Sequence, residues 1–213
     1  VVKKIDGIFI AGLGIPGSGK SSVMKELAKL MECEIFLEPE EEYWSDAVKE
    51  RDTCGYFTSI TWFRSIRVPY LYSAYKLKQL GKNVIVDSYY DKAMHYCIGK
   101  KGMDWFIPTH DKYFGLIKEL MQTDLETLPD ADCIVSFEIE YEDWLTLLNK
   151  RNRSFDEKNE LDKTFCTQSY FIDAAEELAK TRNMKHIRFK QKMSTPIKAA
   201  QQLQELLKQE GVI

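Results

Sequence analysis

Lys20 and Ser21 close the run Gly14-Ile15-Pro16-Gly17-Ser18-Gly19-Lys20-Ser21, which fits G-x-x-x-x-G-K-[ST] at every specified position. Glycines let successive backbone N–H groups close around phosphate oxygens, and a following helix N-terminus adds partial positive charge. In such a loop Gly14, Gly17, Ser18, Gly19 and Ser22 shape the cradle. Lys20 reaches the β- and γ-phosphates, and the Ser21 hydroxyl ligates Mg²⁺. The flanks have the required character. Residues 5–11 carry the apolar run Ile8-Phe9-Ile10-Ala11 and read as a buried strand. Residues 22–31 read as an amphipathic helix, with Val23, Leu27, Leu30 and Met31 on one side. An ordinary glycine-rich turn needs neither flank. The expectation is a site for a nucleoside triphosphate, ATP with Mg²⁺.

Two carboxylates follow short apolar runs: Glu38 after Ile35-Phe36-Leu37, and Asp87 after Val84-Ile85-Val86. In open parallel sheets, ligands bind beyond the carboxyl ends of the strands. A carboxylate there can take a proton from a hydroxyl nucleophile or hold water on Mg²⁺. The plainer alternative is a solvated cap on the next element, and Glu38, leading Pro39 and three more glutamates, is open to it. Asp87 is the more specific of the two, because an apolar strand ending in Asp matches the second motif that organises magnesium.

Lys150-Arg151-Asn152-Arg153 follows a helical stretch. Arginines suit a clamp on a transferring phosphoryl group, since each offers forked donors and permanent charge. A basic loop at about residues 150–160 could close over a nucleotide as a lid. Between Glu38 and Asp87 the chain is rich in aromatics, among them Trp44, Tyr56, Phe57, Trp62 and Phe63. Most belong in a core. A few could form a slot for a flat ring, with Arg64 or Arg67 supplying polar contacts.

The elements that must hold these groups alternate. Apolar runs at 34–37, 83–86, 132–137 and 185–189 are separated by helical stretches at 56–80, 111–123, 141–150, 161–180 and 196–209. Strands buried on both faces and alternating with helices imply a parallel sheet covered on two sides, an α/β fold. Gly81 should stop the long central helix, and Pro69 should kink or interrupt it. With 213 residues and no repeat or linker, a single domain over 1–213 is expected. A net charge of −3 makes no case for nucleic acid as a partner. No apolar run approaches a membrane span and no signal-peptide pattern is present, so a cytoplasmic site of action is expected. Five scattered cysteines, none in C-x-x-C spacing, argue against a disulfide framework or zinc site.

Taken in order, these pieces resemble the deoxynucleoside kinase family, which is related to thymidylate kinases. The resemblance covers about residues 5–180. That family shows a phosphate loop, then Glu-Pro with Trp a few residues on, here Glu38-Pro39 and Trp44. A helix with Phe-Gln follows, here Phe57-Thr58-Ser59, then a strand ending Asp/Glu-Arg-Ser, here Asp87-Ser88-Tyr89. An arginine-rich lid with two acids comes last, here Arg151 and Arg153 with Asp156 and Glu157. The resemblance implies a P-loop three-layer sandwich with five parallel strands, and commonly a homodimer. It implies Glu38 as the base that activates the acceptor hydroxyl, Arg151 and Arg153 on the transferring phosphoryl, and Trp44 lining the nucleoside pocket. The chain departs from the family at Thr58 in place of the base-reading Gln and Ser88 in place of Arg. Arg64, Arg67 or Lys92 could compensate for the missing charge.

Three functions are left open. One is ATP-dependent phosphorylation of a nucleoside hydroxyl. A second is a monophosphate kinase of thymidylate type, which needs further basic residues for the acceptor phosphate. The third is a nucleotide-binding protein with degenerate catalysis. A GTP-dependent switch is disfavoured, because the chain contains no Asn-Lys-x-Asp.

Overall fold

In the computed structural model, the described residues are 7–151 and 161–213. Five strands, β1 (Phe9–Leu13), β2 (Glu34–Phe36), β3 (Val84–Val86), β4 (Cys133–Ile139) and β5 (Lys185–Gln191), form one sheet in the order β2-β3-β1-β4-β5. All pairings are parallel, and central Ala11 lies opposite Val86 on one side and Ile134 on the other. Among the described residues the helices are α1 (Lys20–Leu30), α2 (Asp46–Lys49), α3 (Arg51–Cys54), α4 (Tyr56–Gln79) and α5 (Tyr90–Ala93), followed by α6 (Phe114–Thr127), α7 (Tyr141–Arg151), α8 (Leu161–Cys166), α9 (Gln168–Arg182) and α10 (Pro196–Gln209).

The period of two along each strand divides the core into two layers. Phe9, Ala11 and Leu13 face one layer with Val84, Val86 and Ile134, packed against α4, α6 and α9 residues such as Leu71, Ile117 and Leu178. Ile10, Ile85, Val135 and Phe137 face the other, against Val23 and Leu27 of α1 and Leu203 and Leu207 of α10. The result is the expected α/β three-layer sandwich with a five-stranded parallel sheet. No helix among the described residues is long and apolar enough to cross a membrane.

Several boundaries differ from the sequence expectation, each for a local reason. The first strand runs to Leu13, and residues 1–6 lie outside the described set. Helix α6 starts at Phe114 rather than 111, because the Tyr113 N–H donates to Asp111 Oδ1 at 2.8 Å in a competing side-chain turn. The stretch expected as one helix over 161–180 is two. Thr167 Oγ1 donates back to the Thr164 carbonyl at 2.6 Å, and the chain turns there between α8 and α9. Helix α4 is not interrupted at Pro69. The ring forfeits one helical bond, while Ile60, Leu71 and Ala74 on either side are anchored in the core. Gly81 ends α4 as expected. Its φ is 81°, its N–H donates to the Lys78 carbonyl, and the next N–H, of Lys82, reaches back to Leu77.

Candidate active site

The loop after β1 turns directly into α1, with Gly17 and Gly19 at φ 79° and 78°. Both glycines are required twice over. The left-handed backbone disfavours any Cβ, and one on Gly17 would sit 2.3 Å from Leu148 Cδ2. A Cβ on Gly19 would meet Gln191 Nε2 at 2.8 Å. Lys20 is buried, and its Nζ lies 2.6 Å from Asp87 Oδ1 and 2.7 Å from the Asp87 carbonyl oxygen. Ser21 Oγ donates to Asp87 Oδ2 at 2.7 Å. Asp87, at the end of β3, thus gathers both functional side chains of the loop. Ser18 Oγ is buried with no protein partner.

This donor set fits a nucleoside triphosphate with magnesium. The loop is free of β-carbons at its two tightest points, and Lys20 is held by a carboxylate that phosphate oxygens can replace. Ser21 Oγ and Asp87 Oδ2 are two neighbouring hard oxygens. Mg²⁺ takes one or two protein oxygens and completes its shell with water and phosphate. Among the described residues no cluster of three His, Cys, Asp or Glu offers a fuller metal cage.

The second group of charges stands beyond β2. Arg67, on α4, is buried and grips Asp91 with two bonds, Nε to Oδ2 at 2.6 Å and Nη2 to Oδ1 at 3.0 Å. Its third arm, Nη1, donates to Glu38 Oε1 at 3.0 Å. Burial alone would lower the proton affinity of Arg67, but Asp91 and then Glu38 outweigh it and hold the guanidinium well above its usual range. Tyr90 closes the gap to the phosphate loop. Its ring lies 5.7 Å from the Arg67 guanidinium, and its hydroxyl donates to the Gly14 carbonyl at 2.5 Å. Burial first, then Glu38 and Asp87, push the Tyr90 hydroxyl well above its usual pKa, so it stays a donor. Trp44 packs edge-on against Phe63 and donates from Nε1 to the Pro39 carbonyl at 2.9 Å, fixing the segment that carries Glu38.

Both groups open onto one cavity of about 450 Å³. It is lined from the phosphate-loop side by residues 15–22 and by Leu147, Lys150 and Arg151. The far side is Glu38, Trp44, Ser59, Ile60, Phe63, Arg67, Tyr90, Trp105 and Phe106, with Arg51. That size suits a small-molecule ligand. Arg51 is fixed from two directions: Nη1 donates to the Trp105 carbonyl at 2.8 Å, and the guanidinium covers the Tyr56 ring at 4.7 Å.

Of the expected residues, the structure brings together the phosphate loop from Gly17 to Ser22, Glu38, Trp44, Arg67 and Arg151 on the cavity wall, with Asp87 beneath Lys20. Gly14 sits beside it, tied to Tyr90. Three expected substrate residues lie away from this wall. Phe57, Thr58 and Arg64 do not line the cavity. Phe57 stacks near Tyr113, with ring centroids 4.8 Å apart, and the Thr58 hydroxyl bonds back to the Cys54 carbonyl. Arg64 makes a two-armed pair with buried Asp124, at 2.7 Å on each arm. Lys92 is likewise spent. It is fully buried and donates to the carbonyls of Leu125 and Leu128. Arg153, Asp156 and Glu157 lie outside the described residues, as does most of the expected lid. The sequence reading missed Arg51, Tyr90, Trp105 and Phe106. Ser59, Ile60 and Phe63 could have been found from helical periodicity with Arg67.

No protein-family model matches the chain, and no curated protein matches it. Solved structures do. Deoxyadenosine kinase from M. mycoides with bound dATP superposes with a TM-score of 0.67 at 17% identity, over 93% of this chain and 99% of that one. Deoxyadenosine kinase from M. mycoides with bound dCTP gives 0.63 at 17% identity, over 95% and 100%. Thymidylate kinase from Candida albicans gives 0.61 at 15% identity, over 97% and 93%. The likeness identifies the fold, which is that of the P-loop nucleoside and nucleotide kinases.

Proposed function

We propose that this chain is a phosphotransferase that moves the γ-phosphate of ATP to the hydroxyl of a nucleoside. The observation that carries the reading is one shared cavity, with the phosphate loop on one wall and Glu38 on another. The two kinds of kinase that share the fold, one named for a deoxynucleoside and one for a nucleotide, support a phosphoryl acceptor of this general type.

In this reading the loop amides and Lys20 take the phosphates of ATP. Ser21 and Asp87 would hold magnesium, which when bound neutralises phosphate charge. Two of the three Lys20 donors are spent on Asp87, so phosphate is met by the third or by exchange with that carboxylate. Glu38 accepts the proton of the attacking hydroxyl. Arg67 orients Glu38 through its single bond while Asp91 locks the guanidinium in plane. Trp44, Ile60, Phe63, Trp105 and Phe106 form the apolar walls, and Arg151 approaches from the donor side as a clamp on the transferring group.

The charge balance near Glu38 favours an uncharged acceptor. Arg67 serves two carboxylates at once, Glu38 and Asp91, and Glu40 joins Glu38 on the cavity wall. A monophosphate would bring up to two more negative charges beside them. Arg51 is the observation on the other side, a cation on the same wall that a thymidylate-type acceptor phosphate could use. Assays of nucleosides and their monophosphates with MgATP test the proposal. Phosphorylation of neither class would overturn it.

A further inference from the structure

Two donors, Trp144 buried and Tyr90 partly buried, reach the phosphate loop and end on its carbonyl oxygens. Trp144, on α7, is 1% exposed and donates from Nε1 to the Pro16 carbonyl at 2.9 Å. Tyr90, on α5, donates from its hydroxyl to the Gly14 carbonyl at 2.5 Å. Neither ring is free to follow a moving loop. Trp144 packs against Tyr141 and Phe165, with centroids 6.1 and 5.5 Å apart, and Tyr90 against Phe171 at 5.4 Å.

The peptide unit is planar and trans, so a carbonyl and the next residue's N–H point in opposite directions. Holding the Pro16 oxygen against Trp144 therefore turns the Gly17 N–H away from α7, toward the cavity that Gly17 lines. Holding the Gly14 oxygen on Tyr90 fixes the peptide plane where the loop begins. Glycine at φ 79° makes the crown of the loop easy to fold but also easy to flip. Something outside the loop must select one orientation.

We propose that Trp144 and Tyr90 are positioning residues that hold the phosphate loop with its N–H groups aimed at the donor before ATP arrives. The proposal rests on the reading that this loop takes a nucleoside triphosphate. Neither side chain need touch the phosphates. They act through the peptide planes of Pro16 and Gly14.

Trp144→Phe, Tyr90→Phe and the double variant test it, each compared with the unaltered chain by calorimetric binding of MgATP without acceptor. Tyr90→Phe removes one hydrogen bond and Trp144→Phe removes one together with part of a buried ring; each should weaken MgATP binding about three- to tenfold, with the losses multiplying in the double variant. The KM for MgATP should rise by a similar factor, while in Trp144→Phe, at a position that does not line the cavity, the KM for the acceptor stays within twofold. Tyr90→Phe removes a single oxygen, so it carries the test alone if Trp144→Phe does not fold. Unchanged MgATP affinity in the variants overturns the inference while the function stands. Equal weakening toward donor and acceptor in Trp144→Phe also overturns it, since that marks a general loss of structure. Failure of the unaltered chain to bind MgATP removes the functional reading itself.

Discussion

Lys20 and Asp87 form a buried pair in which a single ammonium binds both the carboxylate, at 2.6 Å, and the main-chain carbonyl of the same residue, at 2.7 Å. The contact spans the end of β3 and the start of α1. It makes the loop cation part of the sheet's polar framework as well as part of the phosphate site. Removing either partner therefore has two effects, one on chemistry and one on the fold.

Lys20→Ala should lose phosphoryl transfer by about 10²–10³-fold or more, because a preorganised charge aimed at developing phosphate charge is gone. From sequence alone the same change is expected to leave the fold intact. The burial of Asp87, 1% exposed, alters that expectation. Its carboxylate would be stranded, a defect that costs about 3–5 kcal/mol in buried pairs. Thermal melts should show a clear drop for Lys20→Ala and partial recovery in the Lys20→Ala/Asp87→Ala double variant, with activity absent in both. Full turnover in Lys20→Ala would remove the phosphate loop as the seat of activity.

Glu38→Gln keeps the shape of the side chain and an oxygen for Arg67 while deleting the proton acceptor. Single-turnover phosphoryl transfer should slow about 10²–10⁴-fold, with acceptor affinity changed far less. If affinity falls and the chemical step does not, Glu38 is a wall of the pocket only.

The acceptor class can be read directly by product analysis. With MgATP, nucleosides should be phosphorylated in preference to their monophosphates, since Arg67 is committed to Asp91 and Glu38. Turnover confined to monophosphates and abolished by Arg51→Gln would instead make Arg51 the acceptor-phosphate ligand and the chain a thymidylate-type kinase.

Tyr89 offers a stability test away from the cavity. Its hydroxyl donates to the Pro129 carbonyl at 3.1 Å and accepts the Ala131 N–H at 3.0 Å. Burial raises its pKa far above the usual value. A group whose folded pKa is raised contributes stability that is complete below the unfolded pKa, about 10 for tyrosine, and fades as pH climbs past it. Denaturant melts should therefore show stability falling above about pH 10. Tyr89→Phe should cost about 1–3 kcal/mol at neutral pH by stranding the Ala131 N–H, and should make the alkaline decline shallower. An unchanged alkaline slope would argue against the burial effect.

The phosphate loop was legible because its signal is local: eight consecutive residues carry the glycines together with Lys20 and Ser21. The parallel sheet was legible from the apolar runs for the same reason. The far wall of the cavity was not, because it is assembled across α4, where only the phase of the helix tells inside from outside. Ser59, Ile60, Phe63 and Arg67 share one face of α4 and line the cavity. At about 100° per residue, Thr58 points about 155° from the middle of that face, and Phe57 and Arg64 each lie roughly a quarter-turn or more off it. The Phe57-Thr58 pair named from the resemblance falls off that face. Reading the helix from Arg67 would have set the right phase. Arg51 and Trp105 are joined by a bond spanning 54 positions, which no spacing rule reveals.

Helix α7 carries Trp144 against the phosphate loop and Arg151 onto the cavity wall. Seven residues of helix amount to about 10.5 Å of rise and return to within about 20° of the same direction. The helix is thus a ruler between two points on the phosphate-loop side of the cavity, and its length matters more than the identity of most residues along it. Substitutions at exposed positions such as Glu142 or Thr146 leave the measure unchanged. One inserted residue would swing Arg151 about 100° around the axis, away from any phosphate held by the loop.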